Sequence, residues 1–134
     1  MPNQWSDDLA IGVEEIDAQH RELYATTATL RDAMRSNRLD RVPEVLEFLE
    51  RYAVEHFATE ERYMEATAYP DLPVHRTAHR DFVDGFLQHK SSFASGIRPS
   101  LVVDLSDWLG RWLGEHIRKM DGQMGRHLRS RPPR

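Results

Sequence analysis

The chain contains no cysteine. That absence excludes disulfides, thiolate metal sites and iron–sulfur clusters together, so any metal has to sit on nitrogen and oxygen. Nor does any run approach the ~18 consecutive apolar residues of a membrane-spanning helix, and the opening residues, MPNQWSDDLA, lack a basic segment followed by an apolar core. No membrane association is expected, and a cytoplasmic location is the default. An excess of positive charge is missing as well: 18 Lys and Arg stand against 22 Asp and Glu, for a net charge of -4. Arginines are interleaved with acids everywhere except near the C-terminus, so no basic face is offered to a phosphate backbone and no nucleic-acid partner is expected. What is present suits a globular domain, with 40% hydrophobic and 30% charged residues over 134 positions. That length supports one hydrophobic core and divides poorly into two, so residues 1–134 are read as a single domain.

Apolar residues recur at helical spacing in four stretches. Residues 1–15 have no sustained period, but Trp5, Leu9, Ile11 and Val13 predict an arm packed on the domain. From Ile16 to Ser36, the residues Ile16, His20, Leu23, Leu30 and Met34 share one stripe. Pro43 suits the first turn of a second helix reaching Ala66, with Leu46, Leu49, Ala53, His56, Glu60 and Met64 inward. Two prolines between Tyr69 and Pro73 break that pattern, and a third helix from Val74 to Phe93 carries His75, His79, Phe82 and Phe86 on one face. Ser100 is a candidate cap for a long fourth helix whose inner face includes Leu105, Leu109, Trp112, Leu113, His116 and Ile117. Residues 126–134, RHLRSRPPR, are expected to form a flexible basic tail, and His89 and His127 to face solvent. Four amphipathic helices with short connections predict an all-α fold, an up-down-up-down four-helix bundle with a packed N-terminal arm.

That topology makes neighbouring helices antiparallel, which brings the end of the second helix level with the start of the third, and the start of the first level with the end of the fourth. His20, the pair His56 and Glu60, the pair His75 and His79, and the pair His116 and Asp121 then converge on one layer of the bundle. Residues four apart project from one face of a helix, so the second and third sets are each preformed for a common ion. His116 and Asp121 are five apart, roughly 140° around an ideal helix, and the helix has to depart from ideal winding to turn both inward. Five imidazoles and two carboxylates suit a pair of six-coordinate ions. With both carboxylates and one solvent-derived oxygen bridging, one position is left open for a small ligand. Mixed nitrogen and oxygen donors in such a pair favour iron over tetrahedral zinc.

These residues carry a family resemblance. VEEIDAQHREL around His20, HFATEERYMEATAYPDLPVHRTAH from His56 to His79, and WLGEHIRKMD from Trp112 to Asp121 resemble the corresponding segments of hemerythrins, over most of the chain. The resemblance implies two non-haem iron ions, one on His75, His79 and His116 and the other on His20 and His56. Glu60, Asp121 and a solvent-derived oxo or hydroxo group would bridge them. It further implies that Leu23, Phe57, Trp112, Leu113 and Ile117 line an apolar oxygen pocket, and that the chain binds dioxygen reversibly, for storage, delivery or sensing, rather than acting as an enzyme. The long interval from His79 to His116, the short arm, and Ala68 where glycine is frequent depart from the animal oxygen carriers, and the longer third and fourth helices are nearer to the bacterial branch. Two other functions compete: a di-iron enzyme acting on dioxygen, peroxide or nitric oxide, and a bundle that holds zinc for structure.

Overall fold

The computed structural model describes residues 4–130. Its helices are α1 (Glu14–Arg35), α2 (Val42–Ala66), α3 (Leu72–Ser91), α4 (Pro99–His116) and, beyond a π-helical turn over Ile117–Asp121, α5 (Gly122–Ser130). No strand occurs among the described residues. Helices α2, α3 and α4 each carry a proline in the first turn, Pro43, Pro73 and Pro99. An N–H at that point would have no partner in the helix, so its loss costs nothing. The same fact corrects the expected start of α4. Arg98 occupies the cap position, Pro99 opens the helix, and Ser100 lies inside the first turn rather than capping it.

Helices α1 and α2 end in one way. Asn37 N–H donates to Met34 O and Arg38 N–H to Ala33 O, and likewise Ala68 N–H donates to Glu65 O and Tyr69 N–H to Met64 O. These nested bonds are a Schellman cap, which places its pivot residue in the left-handed region, here Asn37 at φ 56° and Ala68 at φ 54°. Asparagine visits that region readily, whereas an alanine Cβ costs about 1–2 kcal/mol there. Ala68→Gly relieves that cost at the expense of about 0.5–1 kcal/mol of extra chain entropy in the unfolded state. The substitution is therefore expected to raise the denaturant midpoint by the equivalent of up to about 1 kcal/mol; a lowered midpoint would show that the Ala68 methyl contributes packing that outweighs its backbone cost.

Around the bundle, α1 packs against α2 and α4, and α3 against α2 and α4, the arrangement of an up-down-up-down bundle. Ile16, Leu23 and Leu30 from α1 meet Leu46, Leu49 and Met64 from α2, Phe82 and Phe86 from α3, and Leu105 and Leu109 from α4, all buried. Each such side chain contributes about 1.5–3 kcal/mol when removed from water. Among the described residues, no helix is long and apolar enough to cross a membrane.

The N-terminal arm is held by both polar and apolar contacts. Leu9 and Ile11 are buried, Trp5 sets its edge against Tyr24, and the Asp17 carboxylate accepts the N–H groups of Ile11 (2.8 Å) and Gly12 (3.2 Å). From the other end of the chain, the Arg129 guanidinium donates to the Ile11 carbonyl. A Cβ placed at Gly125 would stand 2.6 Å from Ile11 O, so the arm crosses α5 where only glycine fits. The flexible tail expected from Arg126 onward is instead helical as far as Ser130, with Leu128 only 3% exposed. Met124 and Leu128 extend the buried stripe of α4, and the surrounding arginines mask it in the sequence. His127 does not simply face solvent either: it is half-buried, its Nε2 lies 3.0 Å from Thr67 O and its ring tilts against Tyr69, tying α5 to the end of α2. His89 is half-buried beside Trp108. Residues 1–3 of the expected arm and 131–134 of the expected tail lie outside the described residues.

Candidate metal centre

At one end of the bundle, four helices and the π turn send seven buried side chains to a common point. His20 comes from α1, His56 and Glu60 from α2, His75 and His79 from α3, His116 from the last turn of α4, and Asp121 from the end of the π turn. All seven are at least 94% buried, and both carboxylates are fully so. They form two overlapping groups of potential metal ligands. Glu60, His75, His79, His116 and Asp121 make one, and His20, His56, Glu60 and Asp121 the other, with ligand atoms within 4.8 Å of one another in each.

Every imidazole presents Nε2 to a carboxylate, and each carboxylate divides its two oxygens between the groups. Glu60 Oε2 lies 3.1 Å from His20 and 3.0 Å from His56, while Glu60 Oε1 lies 3.0 Å from His79 and 3.4 Å from His75. Asp121 repeats the pattern, with Oδ2 at 3.1 Å from His20, and Oδ1 at 2.9 Å from His75 and 3.1 Å from His116. Both carboxylates thus stand between a two-histidine half and a three-histidine half, one oxygen toward each.

The position of Asp121 depends on the π turn. Gly122 N–H donates to Ile117 O, an i to i+5 bond that widens the helix by one residue directly after His116. A spacing of five then returns a side chain to the inner face, as a spacing of four does in an α-helix. This resolves the awkward His116–Asp121 interval.

The electrostatics call for a cation. Burial alone would lower the His20 and His75 imidazoles, but hydrogen bonds and charge from Asp121 and Glu60 outweigh it and carry His20 up to about 10 and His75 up to about 9. Burial would likewise raise Glu60, yet the facing imidazoles, His56 foremost, hold its carboxyl well below the usual range. Burial and the nearby Glu60 charge push Asp121 the same way, and His116 and His20 more than offset them. Two buried anions ringed by nitrogen donors therefore require positive charge at their centre, and metal ions fit as well as protons do. The Nε2 of His116 and Oδ2 of Asp121 have no partner of hydrogen-bond geometry although both are buried, which also fits atoms oriented toward an ion rather than toward each other.

Some residues that bear on the centre escaped the sequence reading. His56 Nδ1 lies 2.7 Å from Gln19 Oε1, and His79 Nδ1 lies 2.8 Å from Glu61 Oε2. Glu61 Oε1 in turn accepts from Arg76 Nε at 3.1 Å, and a second nitrogen of Arg76 pairs with Glu65. Gln19 and Glu61 each adjoin a predicted ligand in sequence. An adjacent polar residue is turned roughly 100° around the helix, toward a neighbouring helix, and that was the signal available.

Of the five residues expected to line an oxygen pocket, Leu23, Phe57, Leu113 and Ile117 are buried and Trp112 is partly so. Phe57 lies flat on His79 with ring centroids 3.9 Å apart, and its centroid is 5.7 Å from that of His56, so it touches both halves. Trp112 stacks on His116 at 4.3 Å, on the three-histidine side. Phe57 and His79 also line an open groove of about 440 Å³ between α2 and α3.

A model of the hemerythrin HHE cation binding domain matches residues 11–128. The chain belongs to the hemerythrin family. It is 35% identical over 117 residues to the bacteriohemerythrin of Stenotrophomonas maltophilia, covering 87% of this chain and 75% of that protein. The bacteriohemerythrin of Clostridium acetobutylicum is 24% identical over 121 residues, 87% of this chain and 94% of its own length. The myohemerythrin of Theromyzon tessulatum is 27% identical over 120 residues, 90% of this chain and 88% of its own. In this hemerythrin the matched region contains all seven converging side chains, and membership implies non-haem iron for a buried cluster already able to hold metal.

Proposed function

We propose that the chain holds two non-haem iron ions and binds dioxygen reversibly, for storage, delivery or sensing. The observation that carries this reading is the division of both carboxylates between a three-histidine and a two-histidine half. His75, His79 and His116 would hold one ion, His20 and His56 the other, and Glu60 and Asp121 would bridge them together with a solvent-derived oxo or hydroxo group. The two-histidine half has one donor fewer, and that is where a small ligand would enter. A reduced iron pair supplies the two electrons that dioxygen takes up on binding.

The protein's own contribution is enclosure. Leu23, Phe57, Trp112, Leu113 and Ile117 offer no proton donor apart from the Trp112 indole, and as a largely buried wall they would keep out the water and anions that could drive the two-electron-reduced oxygen out as hydrogen peroxide and leave a loaded pair oxidised. A dry apolar wall favours release over turnover, so the chain reads as an oxygen-binding protein rather than an enzyme. Anaerobic reconstitution with ferrous iron followed by air should produce a coloured adduct that bleaches under vacuum. Irreversible oxidation without such an adduct would remove the carrier reading. Steady consumption of dioxygen, peroxide or nitric oxide would make the chain a di-iron enzyme, and retention of zinc with no response to oxygen would make it a structural metal bundle.

A further inference from the structure

The outer ring nitrogens of His79, His56 and His20 have unequal surroundings. In the three-histidine half, His79 Nδ1 faces the Glu61 carboxylate at 2.8 Å. In the two-histidine half, His56 Nδ1 faces the neutral amide oxygen of Gln19 at 2.7 Å, and His20 Nδ1 is buried with no hydrogen-bond partner among the described residues. We infer that Glu61 is a positioning residue that, through His79, makes the two metal positions chemically unequal, so that the three-histidine position binds a divalent cation more tightly and fills first.

The inference rests on the two-metal reading above, and the physical steps are short. An imidazole that ligates through Nε2 carries its proton on Nδ1, and the acceptor met by that proton sets both the ring orientation and the electron density at Nε2. A carboxylate acceptor increases the donor strength of the ring more than an amide does, and an absent acceptor adds nothing. Glu61 is also held in place. Arg76, one turn before His79 on α3, reaches across to Glu61 with one nitrogen and to Glu65 with another, so the carboxylate is clamped on the far side from the ring it supports. A surface ion pair with Arg76 alone would be worth little. What sets Glu61 apart is that its other oxygen is bonded to a ligand that is 4% exposed.

Stepwise titration of the full chain with cobalt(II) after chelation tests this. The cobalt absorption bands report site occupancy, and proton magnetic resonance of the loaded protein reports the imidazole N–H signals. Wild type should bind two ions with separable constants and show a slowly exchanging His79 N–H. Glu61→Gln keeps an acceptor of similar shape but removes its charge. It should weaken the tighter site about 10-fold and shift that N–H signal, with a larger loss, up to about 100-fold, for Glu61→Ala. Gln19→Glu places a carboxylate on the other half. It should tighten the weaker site and narrow the gap between the two constants, and it serves as an independent arm if the Glu61 variants fold poorly. Glu65→Gln breaks the other half of the Arg76 clamp without touching His79 and should leave both constants within about twofold, well short of the change expected for a ligand partner.

Unchanged constants and an unchanged N–H signal in Glu61→Gln would overturn the inference and leave the two-metal reading standing. Equal losses in Glu61→Gln and Glu65→Gln would overturn it too, by showing that the clamp matters and the His79 contact does not. A wild-type protein that takes up fewer than two ions would overturn both.

Discussion

Replacing Glu60 with alanine is expected to strip metal from both halves of the centre and to lower the melting temperature by roughly 10–20 °C. Glu60 is fully buried and faces His20 and His56 with one oxygen and His75 and His79 with the other. Among the described residues, no other side chain faces as many of the imidazoles, Asp121 facing three. Removing one partner from a buried ionic cluster costs about 3–5 kcal/mol, because the charges left behind have neither water nor a counter-ion. In a domain of this size each kcal/mol moves the midpoint by about 3–4 °C, which gives the expected range. Metal content by elemental analysis and thermal melting by circular dichroism check the two halves of this prediction separately. Two ions retained in Glu60→Ala would refute the bridging role. Loss of metal with an unchanged melting temperature would show that the imidazoles relax to neutrality at little cost, leaving the bridge intact as an idea and the stability estimate wrong. Glu60→Gln retains the volume and one acceptor oxygen, and should fall between the two proteins in both measurements.

Much of this centre is legible in the sequence alone, and the reason is geometric. His56 with Glu60, and His75 with His79, are each one α-helical turn apart, so their common direction follows from helix periodicity alone. His20 lies within an apolar stripe with Ile16 and Leu23, and a polar side chain in such a stripe has to be satisfied by something inside. What could not be read were effects that depend on a neighbouring helix or on departures from regular winding. Nothing in the sequence separates Gln19 and Glu61 from other polar neighbours of the ligands, because their importance lies in which imidazole stands opposite, a matter of inter-helix register. The start of α4 was displaced because Pro99 competes with Ser100 for the helix origin and prevails through its fixed φ. The helix running on to Ser130 was hidden by composition. Leu128 is a single apolar residue among arginines, and it is buried on a helix that meets the arm at Gly125 and Arg129, a contact between the two ends of the chain.

The fold and the centre also depend on each other. Phe57 and Trp112 belong to the aromatic packing with Phe82 between α2, α3 and α4, and the same rings lie flat on His79 and His116. A side chain that packs the core thereby fixes the plane of a prospective ligand. This is why the bundle, rather than any loop, can hold the donors to the tolerance that a metal pair demands.

The π turn makes the sharpest test of that dependence, because it turns a register argument into two deletions with opposite outcomes. Arg118 and Lys119 are exposed within the turn, and the extra residue there is what lets Asp121 face inward five positions after His116. Deleting Lys119 should close the turn to regular α-helix. The aspartate then falls four positions after His116, still on the inner face, and Met124, Gly125 and Leu128 keep their buried side. Two metal ions should be retained, with only a modest change in melting temperature. Deleting Arg111, equally exposed but in regular helix, rotates everything after it by roughly 100° relative to Leu105 and Leu109. His116 and Asp121 cannot then face the centre while the start of α4 keeps its packing, so metal binding and cooperative melting should both be lost. If the Lys119 deletion loses both ions as completely as the Arg111 deletion does, then the centre needs the widened turn itself, for the exact height of Asp121 above His116, and inward direction alone is not enough to build it.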